Sequence, residues 1–231
     1  MINPKAFQED PLRMLRAIQF AARFGFTIEA ETLKAIRKNI NLVKSVAGER
    51  VLLELRKAWT KGSHNTDVLV NLLDQTGMGS IIFGQDFSPY SIEVSGNNKD
   101  KVIGNFIAFF LKGGNYEVMR PTREMVQYLN IAKQAALGDK KVYEYASGQR
   151  DKLSLIANVL DSVGLSRQSQ EINNSLNLPI SVRELDINGK QMMDLGLKGQ
   201  QIGSAFKKVL SAIYDGYIQN DYEEIRKFLT R

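Results

Sequence analysis

Apolar residues in this chain recur at spacings of three and four, and that periodicity constrains the fold before anything else. From Gln200 to Tyr217, residues Ile202, Ala205, Phe206, Val209, Leu210, Ile213, Tyr214 and Tyr217 make one continuous stripe of a helix. Leu12, Leu15, Ile18 and Ala22 make a second, which Phe20 and Phe24 are expected to widen. Val51, Leu52, Leu55 and Trp59 make a third. The same reading predicts helices over Glu31–Lys38, Asp67–Gln75, Asp100–Leu111, Thr122–Leu129, Lys152–Val163 and Tyr222–Leu229. No two segments pair convincingly as strands. The class is therefore read as all-α, an elongated multi-helix array.

Punctuation divides the array into three segments, 1–61, 62–172 and 173–231. A loop is expected at Lys61–Thr66, with longer ones through Gly84–Asn98 and Lys112–Asn115. A polar stretch, Ile172–Pro179, precedes the last segment. In the middle segment Phe106, Phe109, Phe110, Tyr128, Tyr143 and Tyr145 read as core rather than as stacking platforms.

Several functions fall away on composition. No apolar run reaches the roughly 18 residues of a membrane span; the greasiest stretch, Val102–Leu111, is interrupted by Gly104 and Asn105. The N-terminus has no signal core. The chain contains no cysteine, so thiolate metal sites, disulfides and cysteine nucleophiles are excluded. A cytoplasmic location is compatible with this and is the expectation. The net charge of +6 is concentrated: residues 1–62 carry 12 Lys/Arg against 6 Asp/Glu, and the other two segments are nearly balanced. A localised basic surface attracts phosphate backbones, although a solvated helix face with no partner would look the same.

The densest information lies in FQEDPLRMLRAIQFAARFGFTIEAET, Phe7–Thr32. Asp10-Pro11 is a strong helix start, with Asp as N-cap and Pro at the first helical position. Arg13, three residues on, can pair with Glu9 or Asp10; Arg16 and Arg23 continue a basic stripe, and Gly25 is placed to end the helix. Read locally, this is a cap and a charged surface. In GERVLLELRKAW, Gly48–Trp59, Arg50 and Glu54 stand four apart and can pair along one helix. In LPISVRELDINGKQMMDLGLKGQQIGSAFKKVLSAIYDG, Leu178–Gly216, Gly199 leads into a strong helix whose first N–H groups are free. Such a terminus can hold a phosphate, with Lys198 and Lys207 adding charge. Equally, Gly199 can serve a tight turn and Gly203 close helix packing.

These three stretches together resemble the tRNA nucleotidyltransferases (CCA-adding enzymes) and the related bacterial poly(A) polymerases. The first is similar to the family's neck signature over some 20 continuous residues, the second to its later neck motif, and the third to its C-terminal pattern, without the prolines that usually flank the central glycine. The segments then become neck, body and tail. The resemblance implies that Glu9, Asp10 and Arg13 form the family's EDxxR motif, with Asp10 and Arg13 on the base edge of CTP or ATP and Glu9 orienting Arg13. Arg16, Arg50 and Glu54 would brace that pocket, and Lys198, Gly199 and Lys207 would meet RNA.

The same resemblance implies partners and omissions. The partners are tRNA, the nucleotide substrates ATP and CTP, and a nucleotidyltransferase head domain encoded in the same gene or a separate chain; no membrane is involved. The family's Mg²⁺ is held by two carboxylates of that head, which this sequence is read as lacking. There is no DxD triplet, and the nearest short-spaced acidic pair is Glu184 and Asp186. The chain is therefore not expected to be catalytic alone, and no residue is assigned to catalysis or to a metal. His64 is the single histidine, which excludes the histidine-based phosphohydrolase domain of some relatives and leaves His64 as a loop residue. The alternatives are an all-α RNA-binding or scaffold protein derived from the family, or the same part of a poly(A) polymerase.

Overall fold

The computed structural model describes residues 5–60, 63–85 and 87–230, and every element in them is helical. Helix α1 (Ala6–Glu9) is a single turn. The chain then turns at Asp10 into α2 (Leu12–Phe24). Asp10 is extended, and its Oδ1 accepts from the Leu12 N–H at 3.3 Å while Pro11 already holds helical angles. This is the Asp-cap, Pro-start arrangement read from the sequence. Gly25 ends the helix at φ 71°, a left-handed conformation that a side chain would strain. There follow α3 (Ala30–Asn39), α4 (Gly48–Trp59), α5 (Ser63–Thr76) and α6 (Met78–Phe83).

The middle of the chain contributes α7 (Asn98–Phe110), α8 (Arg123–Leu137), α9 (Val142–Tyr145), α10 (Arg150–Ser162) and α11 (Ser166–Ser175). The C-terminal part contributes α12 (Gly189–Asp194), α13 (Gln200–Tyr214) and α14 (Tyr222–Leu229). Short 3₁₀ turns lie at Ile40–Ser45, Glu117–Met119 and Val182–Glu184.

Two of the expected connecting segments are partly helical. Residues 63–66 of the expected loop belong to α5, whereas residues 61–62 and the side chain of His64 lie outside the described residues. The polar stretch at Ile172–Pro179 is helical as far as Ser175, because Ile172 is fully buried beneath α11 and anchors it to α10.

One continuous apolar cluster runs from Phe7 to Ile180. Helix α2 packs on α4 and α5, and α10 packs on α7, α8 and α11. The joint between these groups is aromatic. Trp59 of α4 meets the edge of Phe109 of α7, with ring centroids 5.0 Å apart, and Phe83, Phe106, Phe110 and Tyr116 extend the contact. Phe106, Phe109 and Phe110 are fully buried, and Tyr128 is nearly so. Gly48 fixes the same joint from the other end of α4. A Cβ there would lie 1.6 Å from the Val118 carbonyl oxygen, so only glycine lets the helix start pass the Glu117–Met119 turn.

A second, smaller cluster begins at Leu185 and gathers Ile187, Met192, Ala205, Val209, Leu210, Ile213 and Ile225. It is tied to the larger one by polar contacts. Lys141 Nζ reaches both carboxylate oxygens of Asp215, at 2.7 and 2.8 Å, and the Ser211 hydroxyl. Arg150 donates to the carbonyls of Leu176 and Leu178 and to the Glu184 carboxylate.

Candidate nucleotide and RNA interface

The turn between α1 and α2 sets four charged side chains at the surface in two cross-braced pairs. Asp10, about one-quarter exposed, is faced by Arg50 of α4, whose Nη2 stands 3.5 and 3.4 Å from its two oxygens. Arg13 points back along the helix to Glu9 Oε2 at 3.3 Å and the Ala6 carbonyl at 3.3 Å. Arg13 and Glu9 are both well exposed. Glu9 thus accepts from Arg13, and Asp10 keeps lone pairs free because its contacts are few and long.

The expected pairing of Arg50 with Glu54 does not form. Both residues sit on the face of α4 that packs against α2, and each finds a partner closer than the other. Arg50, at the rim, meets Asp10. Glu54, one turn deeper and 1% exposed, accepts from Arg16 Nε at 3.2 Å and from Lys57 Nζ at 3.0 Å. One buried carboxylate thus ties the second turn of α2 to the last turn of α4. On the same helix, Glu49 pairs with Arg120 at 2.7 Å. Its own backbone N–H and then Arg120 hold its carboxyl below the usual carboxylate range.

Phe20 and Phe24, expected to widen the buried stripe of α2, do not do so. They are 46% and 52% exposed and continue the outer face through Arg13 and Arg16 at spacings of three and four. Phe24 lies 5.9 Å from Phe20 and stacks on exposed Phe26 at 5.6 Å, with the Arg23 guanidinium 5.0 Å over its ring. The sequence carried the signal, since 13, 16, 20 and 24 fall on one helical face opposite Leu15, Ile18 and Ala22.

In the C-terminal part, Gly199 leads into α13 at φ 51°, which agrees with the tight-turn role. Lys198 is exposed, its N–H donating to Gln201 Oε1 at 2.9 Å. Lys207 lies on the outer face of α13 with Ser204 and Lys208. Gly203 is on that same exposed face, with nothing within 4 Å of a Cβ, so it serves no close helix packing. Among the described residues no group of three or more His, Cys, Asp or Glu side chains is placed to hold a metal ion, and no helix is long and apolar enough to cross a membrane.

A family model described as the probable RNA and SrmB-binding site of polymerase A matches residues 25–85. The CCA-adding enzyme of Leuconostoc mesenteroides is 27% identical to this chain, over 97% of the chain and 60% of the relative. That of Staphylococcus saprophyticus is 28% identical, over 98% and 62%. The chain is similar to CCA-adding enzymes over nearly its whole length. It spans about three-fifths of the length of these relatives. The fold agrees: the Bacillus stearothermophilus CCA-adding enzyme in complex with CTP superposes over 98% of this chain and 62% of its own, with a TM-score of 0.67 at 19% identity. The Thermotoga maritima CCA-adding enzyme complexed with tRNA gives 0.62 over the same shares, also at 19% identity. The helical architecture is that of these solved structures, and residues 25–85 are similar to the RNA-binding region that the family model describes.

Proposed function

We propose that this chain is the RNA-binding and nucleotide-selecting portion of a tRNA nucleotidyltransferase that adds CCA to tRNA 3′ ends, working with a head domain that performs the transfer. In this reading residues 1–61 form the neck, 62–172 the body and 173–231 the tail. The observation that carries it is the placing of the partly exposed Asp10 and the exposed Arg13 side by side at a helix start, held by Arg50 and Glu9 respectively.

Cytosine and adenine each present an exocyclic amine beside a ring acceptor. A carboxylate accepts from the amine and a guanidinium donates to the acceptor. Uracil and guanine put a carbonyl where the amine would be, leaving Asp10 facing an acceptor and both groups unpaired. Arg50 and Glu9 fix the two reading groups. Arg16, held by Glu54, supplies positive charge one turn on. Lys198, Gly199 and Lys207 would meet tRNA phosphates and shape at the far end, since duplex RNA offers little sequence to read in its deep groove.

Mg²⁺ would be needed for attack of the primer hydroxyl on the α-phosphate, and in this reading it is held outside the helical portion. That step is assigned to the head. CCA addition is preferred over poly(A) synthesis because the relatives that span nearly the whole chain carry the CCA-adding name.

Two measurements test the reading. Filter binding of tRNA at two salt concentrations is expected to show steep salt dependence, as phosphate neutralisation requires; equal affinity for tRNA and an unrelated acidic polymer would refute it. Labelled CTP and ATP should enter tRNA when the head domain is added and not without it.

A further inference from the structure

An open cleft lies away from the Asp10–Arg13 turn. It measures about 620 Å³ and lies between the end of α4 and the first turns of α7 and α8. Its volume falls in the range of small-ligand sites. The floor is apolar. Val102, Ile103 and Met125 are nearly buried, whereas Leu53 is 52% exposed at its edge.

The rim carries Arg56, Lys57 and Lys99 against one acid, Glu124. Lys99 is neutralised by Glu124 at 2.7 Å. Lys57 shares the buried Glu54 carboxylate with Arg16, so one acid there serves two cations. Arg56 is exposed, and its guanidinium has no hydrogen-bond or ion-pair partner among the described residues; neither does the Asn98 side chain at the opposite lip. Among the described residues, the ion-pair partners of Arg16, Arg56, Lys57 and Lys99 are thus Glu54 and Glu124 alone. The surplus sits beside an apolar floor that can take a base or a ribose. A free guanidinium offers a planar fork of donors suited to phosphate oxygens.

We propose that this cleft binds one nucleotide of the RNA strand, its phosphate on Arg56 and Lys57, its base against Leu53, and Asn98 available to its polar edge. The inference rests on the RNA-binding reading above and adds to it a specific point of contact. Glu54 couples this point to the α2 face through Arg16, so the strand would be gripped one helix away from the selecting turn.

The test uses the full chain and fluorescence anisotropy with three probes: a labelled tRNA transcript, a labelled single-stranded oligoribonucleotide, and a fluorescent CTP. Arg56→Glu and Leu53→Ala are compared with Lys34→Glu, an exposed cation of α3 paired only with its helix neighbour Glu31. Arg56→Glu is expected to weaken tRNA binding at least tenfold and to reduce the log–log salt slope by about one. Leu53→Ala is expected to weaken it three- to tenfold with the slope unchanged. Lys34→Glu should move affinity less than threefold. The proposal is overturned if Arg56→Glu matches Lys34→Glu, or if Leu53→Ala has no effect, while wild-type tRNA binding stands. It is equally overturned if Arg56→Glu lowers affinity for free CTP as much as for RNA, because the site would then take a free nucleotide. Absence of wild-type tRNA binding would sink both this inference and the reading beneath it.

Discussion

Replacing Glu54 by glutamine removes one charge from the interface of α2 and α4 with little change in volume. The wild-type carboxylate is 1% exposed and takes two charge-assisted hydrogen bonds, at 3.2 Å from Arg16 and 3.0 Å from Lys57. A hydrogen bond to a charged group contributes about 1.5–3 kcal/mol and a neutral one about 0.5–1.5, so each bond weakens by roughly 1 kcal/mol. Arg16 and Lys57 are 45% and 39% exposed and can regain water, which discounts that loss, and the amide escapes the carboxylate's desolvation cost. The net expectation is a loss of about 1–2 kcal/mol, or roughly 2–8 °C in melting temperature for a chain of this size. Trp59, the single tryptophan, is buried five residues along the same helix and reports unfolding by fluorescence in urea. A double-mutant cycle with Arg16→Met isolates the cross-helix bond. A stability equal to or above wild type, or a coupling energy near zero, would show that Glu54 does not brace α2.

Other perturbations test the joints of the fold. Gly48→Ala forces a methyl onto the Val118 carbonyl oxygen and should lower stability by at least about 2 kcal/mol, measured by circular dichroism on heating; a neutral result would mean that the turn yields freely. Acid should loosen the contact between the two apolar clusters. The hydrogen bond from Lys141 is the main cause holding Asp215 below the usual carboxylate range. Burial raises Glu184, but Arg150, the Ile180 N–H and Ser181 together outweigh it and leave it lowered. A depressed native pKa contributes stability that is present above the unfolded value and lost as pH falls through the native one, hence below about pH 4. Calorimetry should show the C-terminal cluster melting separately at pH 3.5 and not at pH 7, and an unchanged thermogram would count against these ties.

Periodicity located the long helices because their buried faces are rich in apolar residues. Helix α14 matches its expected limits, and α13 stops three residues short of Tyr217 where the chain turns through Gly216 at φ 72°. Helix α8 runs on from Leu129 to Leu137, through alanines that carry little hydrophobic signal. Helices α6, α9 and α12 are one or two turns long, too short to show a period. Helix α11 buries only Ser169, Ile172 and Ser175, so its sequence reads as polar loop. In the candidate site, Arg13's pairing with Glu9 is local and was legible. Arg50's turn toward Asp10, and Glu54's toward Arg16, depend on how α4 crosses α2, which spacing within one helix does not encode. The cleft under Arg56 draws its walls from residues 53–125 and has no sequence signature.

Nucleotide choice is the most direct probe of the central claim. With a head domain supplied and tRNA as primer, incorporation of CTP and ATP is measured against UTP and GTP for the wild type, Asp10→Ala and Arg13→Ala. A base-edge pair is worth about 1–3 kcal/mol of discrimination, so each variant should lose roughly tenfold or more in selectivity. Affinity for tRNA should hold within about threefold, since neither group faces phosphate in this account. Unaltered selectivity in a folded variant, or tRNA binding lost in step with it, would contradict the claim that Asp10 and Arg13 read the incoming base.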